Sequence, residues 1–200
     1  MKKGVLITLY GINNIGKSTH AKILTRKIKK AGYEAKYLKY PIYDISPTGP
    51  FINAVLRGKG EQKISEDELQ LWFVLNRYQY QPKILKLLEA GVIVVAEDYT
   101  GTGITWGAAK GLDREWLESA NQHLLKEDFA LMMEGQRDRS AKEDVHIHEQ
   151  NEELIEKCII EHEISARKYG WRKVPLQEEV VDTAKLIWNE VDDFLQERYS

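Results

Sequence analysis

Five short apolar runs alternate with segments of helical period, and this alternation limits the possible folds more than any other feature of the chain. Val5 to Tyr10, Ala35 to Tyr40, Val92 to Ala96, Phe129 to Met133 and Trp171 to Val174 are bounded and mostly rich in β-formers. Runs of that kind are strands buried on two faces. Between them, Lys17 to Ala31 ends at Gly32. Glu66 to Ala90 starts from a Ser65/Glu68 capping box, contains Pro82 as a kink and ends at Gly91. Asp113 caps a helix to Leu125, and Asn151 to Tyr169 and Glu178 to Tyr199 complete the set. The pattern predicts an α/β fold with a parallel sheet covered on both faces, its ligands at the carboxyl ends of the strands. No repeat and no Pro/Gly/Ser linker interrupts residues 1–200, so a single domain is expected.

Charge and cysteine usage exclude several classes of function. With 29 Lys+Arg against 31 Asp+Glu, the net charge of -2 gives no bulk attraction for a nucleic-acid polymer or a membrane surface. An anionic ligand has to be held locally. A single cysteine, Cys158, allows neither an internal disulfide nor a zinc site, and reads as helix packing in a reducing compartment. The start MKKGVLITLYG imitates a signal peptide, but only about seven apolar residues pass before GINN, with no cleavage site. A bilayer span needs about 18 apolar residues, so a cytoplasmic protein is expected.

The loop after the first run, Gly11-Ile12-Asn13-Asn14-Ile15-Gly16-Lys17-Ser18, fits G-x-x-x-x-G-K-[ST] and is followed by Thr19. In such a loop backbone N–H groups converge on phosphate oxygens, the following helix offers its positive dipole end, the lysine supplies charge and the hydroxyl ligates Mg2+. Gly11, Asn13, Asn14, Ile15, Gly16, Lys17, Ser18 and Thr19 are therefore the expected nucleoside-triphosphate-binding residues. The third run ends Glu97-Asp98-Tyr99, placing carboxylates where a Mg2+-linked ligand or an attacking hydroxyl is within reach. Asp98 to Gly101 also spells the D-x-x-G of a GTPase switch, but no N-K-x-D follows. In the long helix, Phe73 and Arg77 are four apart and share a face. They could stack a base and fork onto a phosphate; on spacing alone, Phe73 packs in the core and Arg77 reaches a surface acid. The polar stretch 134–151 is either a solvated loop or a lid that brings Arg137 and Arg139 over a ligand. His20, His146, His148 and His162 have no carboxylate–histidine spacing that demands a metal, and read as surface or packing residues.

The phosphate loop, Tyr40-Pro41, Phe73-x-x-Asn76-Arg77, Tyr99 through Trp106-Gly107 and the arginine-bearing loop, taken in order, resemble thymidylate kinases over nearly the whole chain. The resemblance implies the three-layer P-loop NTPase fold, with a five-stranded parallel sheet flanked by helices. It further implies a nucleoside monophosphate kinase with ATP-Mg2+ as the donor held by Gly11 to Thr19, a closing lid at about 134–151, and a homodimer. Lys17, Glu97, Arg137 and Arg139 become catalytic, with Ser18 and Glu97 on the metal. Phe73 stacks the acceptor base, Arg77 holds its phosphate, Tyr99 and Trp106 line the sugar, and Pro41 belongs to the acceptor site.

Departures from the family pattern concern charge. Asp98 stands where the family has arginine, Asn13 where it has a carboxylate, and Tyr43 where an arginine is expected. Three readings follow. In a divergent thymidylate or related nucleotide kinase, Arg77, Mg2+ and Lys39 or Arg57 replace the missing charges. A deoxynucleoside kinase would use Glu97 as general base. A nucleotide-binding regulatory protein would keep the fold without turnover.

Overall fold

The structure, a computed structural model, describes residues 3–58, 63–136 and 152–200. Its elements run β1 (Leu6–Tyr10), α1 (Lys17–Lys30), β2 (Ala35–Lys39), α2 (Thr48–Leu56), α3 (Glu66–Glu89) and β3 (Ile93–Glu97). There follow α4 (Thr100–Ala109), α5 (Arg114–Asn121), β4 (Phe129–Glu134), α6 (Glu152–Tyr169), β5 (Arg172–Pro175) and α7 (Val180–Tyr199). The strands form one sheet in the order β2-β3-β1-β4-β5. All four pairings are parallel.

Alternation along the strands explains why the apolar runs are unbroken. From β1, Ile7 and Leu9 enter a cluster with Leu24 and Ile28 of α1 and Ile187, Val191 and Leu195 of α7. Leu6 and Tyr10 point the other way, toward Ile84 and Leu88 of α3, Tyr99, and Ala166 of α6. Both faces are dry, and each fully buried aliphatic side chain contributes about 1.5 to 3 kcal/mol relative to exposure. Leu9 pairs with Glu97, and the Asp98 N–H donates to the Leu9 carbonyl at 3.2 Å. The loops that leave β1 and β3 therefore emerge side by side at the carboxyl edge. Among the described residues, no helix is long and apolar enough to cross a membrane.

The Ser65 cap is present, its hydroxyl accepting from the Glu68 N–H at 3.4 Å, and α3 runs through Pro82 without a break in its assignment. Several boundaries differ from expectation. The helix after Asp113 stops at Asn121 rather than Leu125, because the Leu124 N–H turns back to the Asn121 carbonyl. The last helix starts at Val180, not Glu178; the Thr183 hydroxyl accepts from the Gln177 N–H just before it.

Two helices, α2 and α4, are not expected from sequence. Pro50 lies in the first turn of α2, where no intrahelical N–H is lost. The Thr100-Gly-Thr-Gly start of α4 has poor intrinsic helicity, but its glycines answer to packing. A Cβ at Gly103 would lie 2.7 Å from Arg77 Nη2, and one at Gly107 would lie 2.8 Å from Leu117. Tertiary contact with α3 and α5 overrides propensity there.

Candidate active site

The loop from Gly11 to Thr19 joins β1 to α1, and its apolar members anchor it. Ile12 and Ile15 are buried in the core, while Asn13 and Asn14 are half-buried and face a cleft. Asn14 takes φ +62°, a region that Asn tolerates. Gly16, the N-cap of α1, has φ +93° and no side-chain cap; the first turn carries no acid. Orphan N–H groups at such a terminus favour an anion. Gly16, Lys17, Ser18 and Thr19 line the cleft with the two asparagines, whereas Gly11 and Ile15 serve from behind it.

Lys17 is buried, and its Nζ donates to the Gly11 and Ile12 carbonyls, both at 2.8 Å. It also lies 3.7 Å from Asp98 Oδ1. Glu97, 3 % exposed, ends β3 directly opposite. Its Oε1 accepts from Ser18 Oγ at 2.6 Å and lies 3.2 Å from Lys39 Nζ, and its Oε2 accepts from the Tyr37 hydroxyl. Burial pushes the Glu97 carboxyl up, but the Ser18 and Tyr37 hydrogen bonds, with Lys39 and Lys17, leave it below the ordinary carboxylate range. Asp98 is opposite in sense. Burial raises it, Lys17 only partly opposing, and Glu97 raises it further. Asp98 adopts φ +60°, and its Oδ1 accepts from Thr102 Oγ1 at 2.8 Å. Its carboxylate thus faces Lys17 from the wall of the cleft, 15 % exposed.

At the other end of the cleft stand Phe73 and Arg77. Phe73 is a half-buried wall of the cleft, not a core residue. Arg77 does not reach a surface acid. It is 4 % exposed, its Nη1 donates to Asn121 Oδ1 at 3.0 Å, and its buried Nε has no partner among the described residues. Burial works against its charge, so this guanidinium has capacity for an incoming acceptor group. The Tyr40 and Tyr99 rings lie beside it, 5.2 Å apart, and both buried hydroxyls lack partners among the described residues. Burial raises both phenols, and the Arg77 charge offsets part of that. Pro41, Tyr43 and Trp106 complete this half. Lys39 and Arg57 also line the cleft. Arg137 and Arg139, with the rest of residues 137–151, lie outside the described residues.

Sequence reasoning did not single out Tyr37, Gln70, Thr102 or Asn121. Tyr37 shares a face of β2 with Lys39, but only the β2–β3 register brings that face to Glu97. Asn121 carries no local signal, because only the packing of α5 on α3 brings it to Arg77.

One cleft of about 560 Å³ joins the two halves. A molecule that only bound or hydrolysed a nucleoside triphosphate would have no use for an aromatic wall and a buried guanidinium beyond the phosphate loop. Their presence places the protein among the P-loop nucleotide kinases, phosphotransferases that bring donor and acceptor together. The family description "Thymidylate kinase" matches residues 9–173, and the chain belongs to the thymidylate kinase family. The 251L protein of Invertebrate iridescent virus 6 is 28 % identical over 197 residues, 96 % of this chain and 90 % of that one. Human thymidylate kinase is 28 % identical over 152 residues, covering 76 % and 70 % of the two chains. The structure of thymidylate kinase from Candida albicans superposes with a TM-score of 0.80 over 99 % of this chain and 94 % of that one. At 24 % identity it establishes the fold. Neither the nucleoside kinase nor the regulatory reading is favoured by these relationships.

Proposed function

We propose that the protein transfers the γ-phosphoryl group of ATP to dTMP or a related nucleoside monophosphate. An acceptor phosphate oxygen bonds to the γ-phosphorus, the bond from that phosphorus to the β–γ bridging oxygen breaks, and ADP and a nucleoside diphosphate leave. The observation that carries this reading is the Ser18–Glu97 contact at 2.6 Å beside Lys17, in the same cleft as the buried guanidinium of Arg77. Phe73 stacks the acceptor base, Arg77 donates to the acceptor, and Tyr99 with Trp106 bounds its sugar.

The residues present fit Mg2+. Ser18 Oγ and Glu97 Oε1 are hard oxygen donors, and Glu97 is held in its charged form. Among the described residues, no three His, Cys, Asp or Glu side chains gather to cage a metal. That suits a cation bound by few protein ligands, with phosphate and water completing its shell. When bound, Mg2+ supplies charge neutralisation at the β- and γ-phosphates. Lys17 leaves the carbonyls of its own loop for phosphate oxygens. The loop has no arginine, and Arg137 and Arg139 are proposed to offset the charge of the transferring group. Cys158, free and buried, supports a reducing, cytoplasmic setting, and the family resemblance supports a homodimer.

The test is ADP formation from ATP-Mg2+ against a panel of nucleosides and nucleoside monophosphates. Turnover with dTMP or a close relative preferred, and its loss in EDTA, is the expected result. Preference for thymidine, or nucleotide-stabilised melting without acceptor-dependent turnover, would replace this reading with one of the two alternatives.

A further inference from the structure

We propose that Tyr37 is a positioning residue: by holding Glu97 Oε2 it fixes the carboxylate so that Oε1 is presented, with Ser18 Oγ, to the cation of the bound nucleotide. The inference rests on the cation site proposed above and adds a residue to it that neither the phosphate loop nor the β3 terminus contains.

The β-sheet register explains how Tyr37 arrives there. Tyr37 pairs with Val95 and Lys39 pairs with Glu97 across the β2–β3 ladder. Glu97 is thus directly beside Lys39 and diagonal to Tyr37, a separation that aromatic side chains span. Both send a polar atom to the same carboxylate, but to opposite ends of it. The Tyr37 hydroxyl donates to Oε2. The Lys39 ammonium lies 3.2 Å from Oε1 and donates to Ser18 Oγ at 3.2 Å.

These two partners differ in what they permit. Lys39 is 52 % exposed, and its ammonium contacts the same two oxygens that a divalent cation would take. It is displaced when such a cation arrives. Tyr37 packs against the hydrophobic cluster under α1, with the Lys22 ammonium 5.8 Å from its ring centroid. It touches the oxygen that the cation does not need, so it stays. A carboxylate held at one end by a packed ring loses little further freedom on binding metal at the other. Partners of ligating carboxylates typically set metal affinity within about 10- to 100-fold.

The test uses Mn2+ as the probe, its binding to the full-length enzyme–ADP complex read by electron paramagnetic resonance. Metal-free ADP binding in EDTA is measured by calorimetry, with the Tm alongside. In Tyr37→Phe, which keeps the ring, the Mn2+ Kd should rise about 10-fold or more with metal-free ADP affinity unchanged and a Tm that falls but leaves the protein folded at the assay temperature, since buried Glu97 Oε2 loses a donor. Unchanged Mn2+ affinity, or parallel weakening of metal-free ADP, would overturn the assignment. Ser18→Ala and Glu97→Gln distinguish the two levels. If both weaken Mn2+ while Tyr37→Phe does not, only the role of Tyr37 fails. If neither weakens it, the cation site fails and the Tyr37 assignment falls with it.

Discussion

Lys17→Ala should abolish phosphoryl transfer and leave the fold standing. The ammonium is buried, anchored on two loop carbonyls at 2.8 Å, and 3.7 Å from Asp98. It is the cation of the loop itself, since Asn13 and Asn14 carry none. A preorganised charge aimed at a transferring phosphoryl group contributes at least about 10²- to 10³-fold in rate, and cationic fingers about 10³ to 10⁵. A fall in kcat/KM of about 10³-fold or more is therefore expected, with an unchanged circular dichroism spectrum. The β1 strand and α1, which frame the loop, are held by Ile7, Leu9, Leu24 and Ile28 and do not depend on the lysine. A variant that kept full activity would end the phosphate-loop argument.

Arg77→Ala should raise the acceptor KM and spare the ATP KM. The guanidinium is fixed by Asn121 on one side and closely faced by Gly103 on the other, and its Nε has no partner among the described residues. A hydrogen bond from a charged donor contributes about 1.5 to 3 kcal/mol, which is about 10- to 100-fold in acceptor KM. The ATP KM should change by less than about 2-fold, because the loop proposed to hold ATP contributes cleft-lining residues distinct from those around Arg77. Arg77→Lys should not restore binding, since an ammonium lacks the planar fork and cannot bridge Asn121 and a ligand together. Equal changes in both KM values would count against the assignment.

Much of the molecule was legible because its signals are local. The five runs, the Ser65 cap and the spacing of the phosphate loop each lie within one short stretch of chain. What escaped depended on distant neighbours. Helix α4 opens with Gly101 and Gly103, poor helix formers whose reason for being there is the Arg77 guanidinium and the Trp171 ring across from them. The strand near residue 171 shifts to Arg172–Pro175 because the Trp171 N–H turns back to the Ala166 carbonyl at the end of α6, at 3.0 Å, while its ring stacks on Tyr10, 4.1 Å between centroids. Helix α2 was hidden by Gly49 and Pro50, whose turn chemistry is the same whether or not a helix follows.

The site shows the same division. Arg77 on spacing alone reads as a surface residue, and only the approach of Asn121 from α5 and Gly103 from α4 encloses it. Tyr37 is an ordinary strand tyrosine until the β2–β3 register sets it diagonal to Glu97. Asp98 could be flagged as a reversed charge, but not placed. Its left-handed backbone and its contacts with Thr102 and Lys17 hold the carboxylate against the phosphate loop. There it lies 3.7 Å from the lysine, while its charge is also felt at Arg77.

The distribution of tryptophans gives this protein separable optical signals. Of the five, Trp106 is the one that lines the cleft, while Trp171 is 5 % exposed and stacked on Tyr10. An acceptor seated against Trp106 should change its emission at constant fold, and Trp106→Phe should erase that response. Emission from Trp171 should shift only when the sheet itself opens. Occupancy and unfolding can then be followed in one cuvette without an added label.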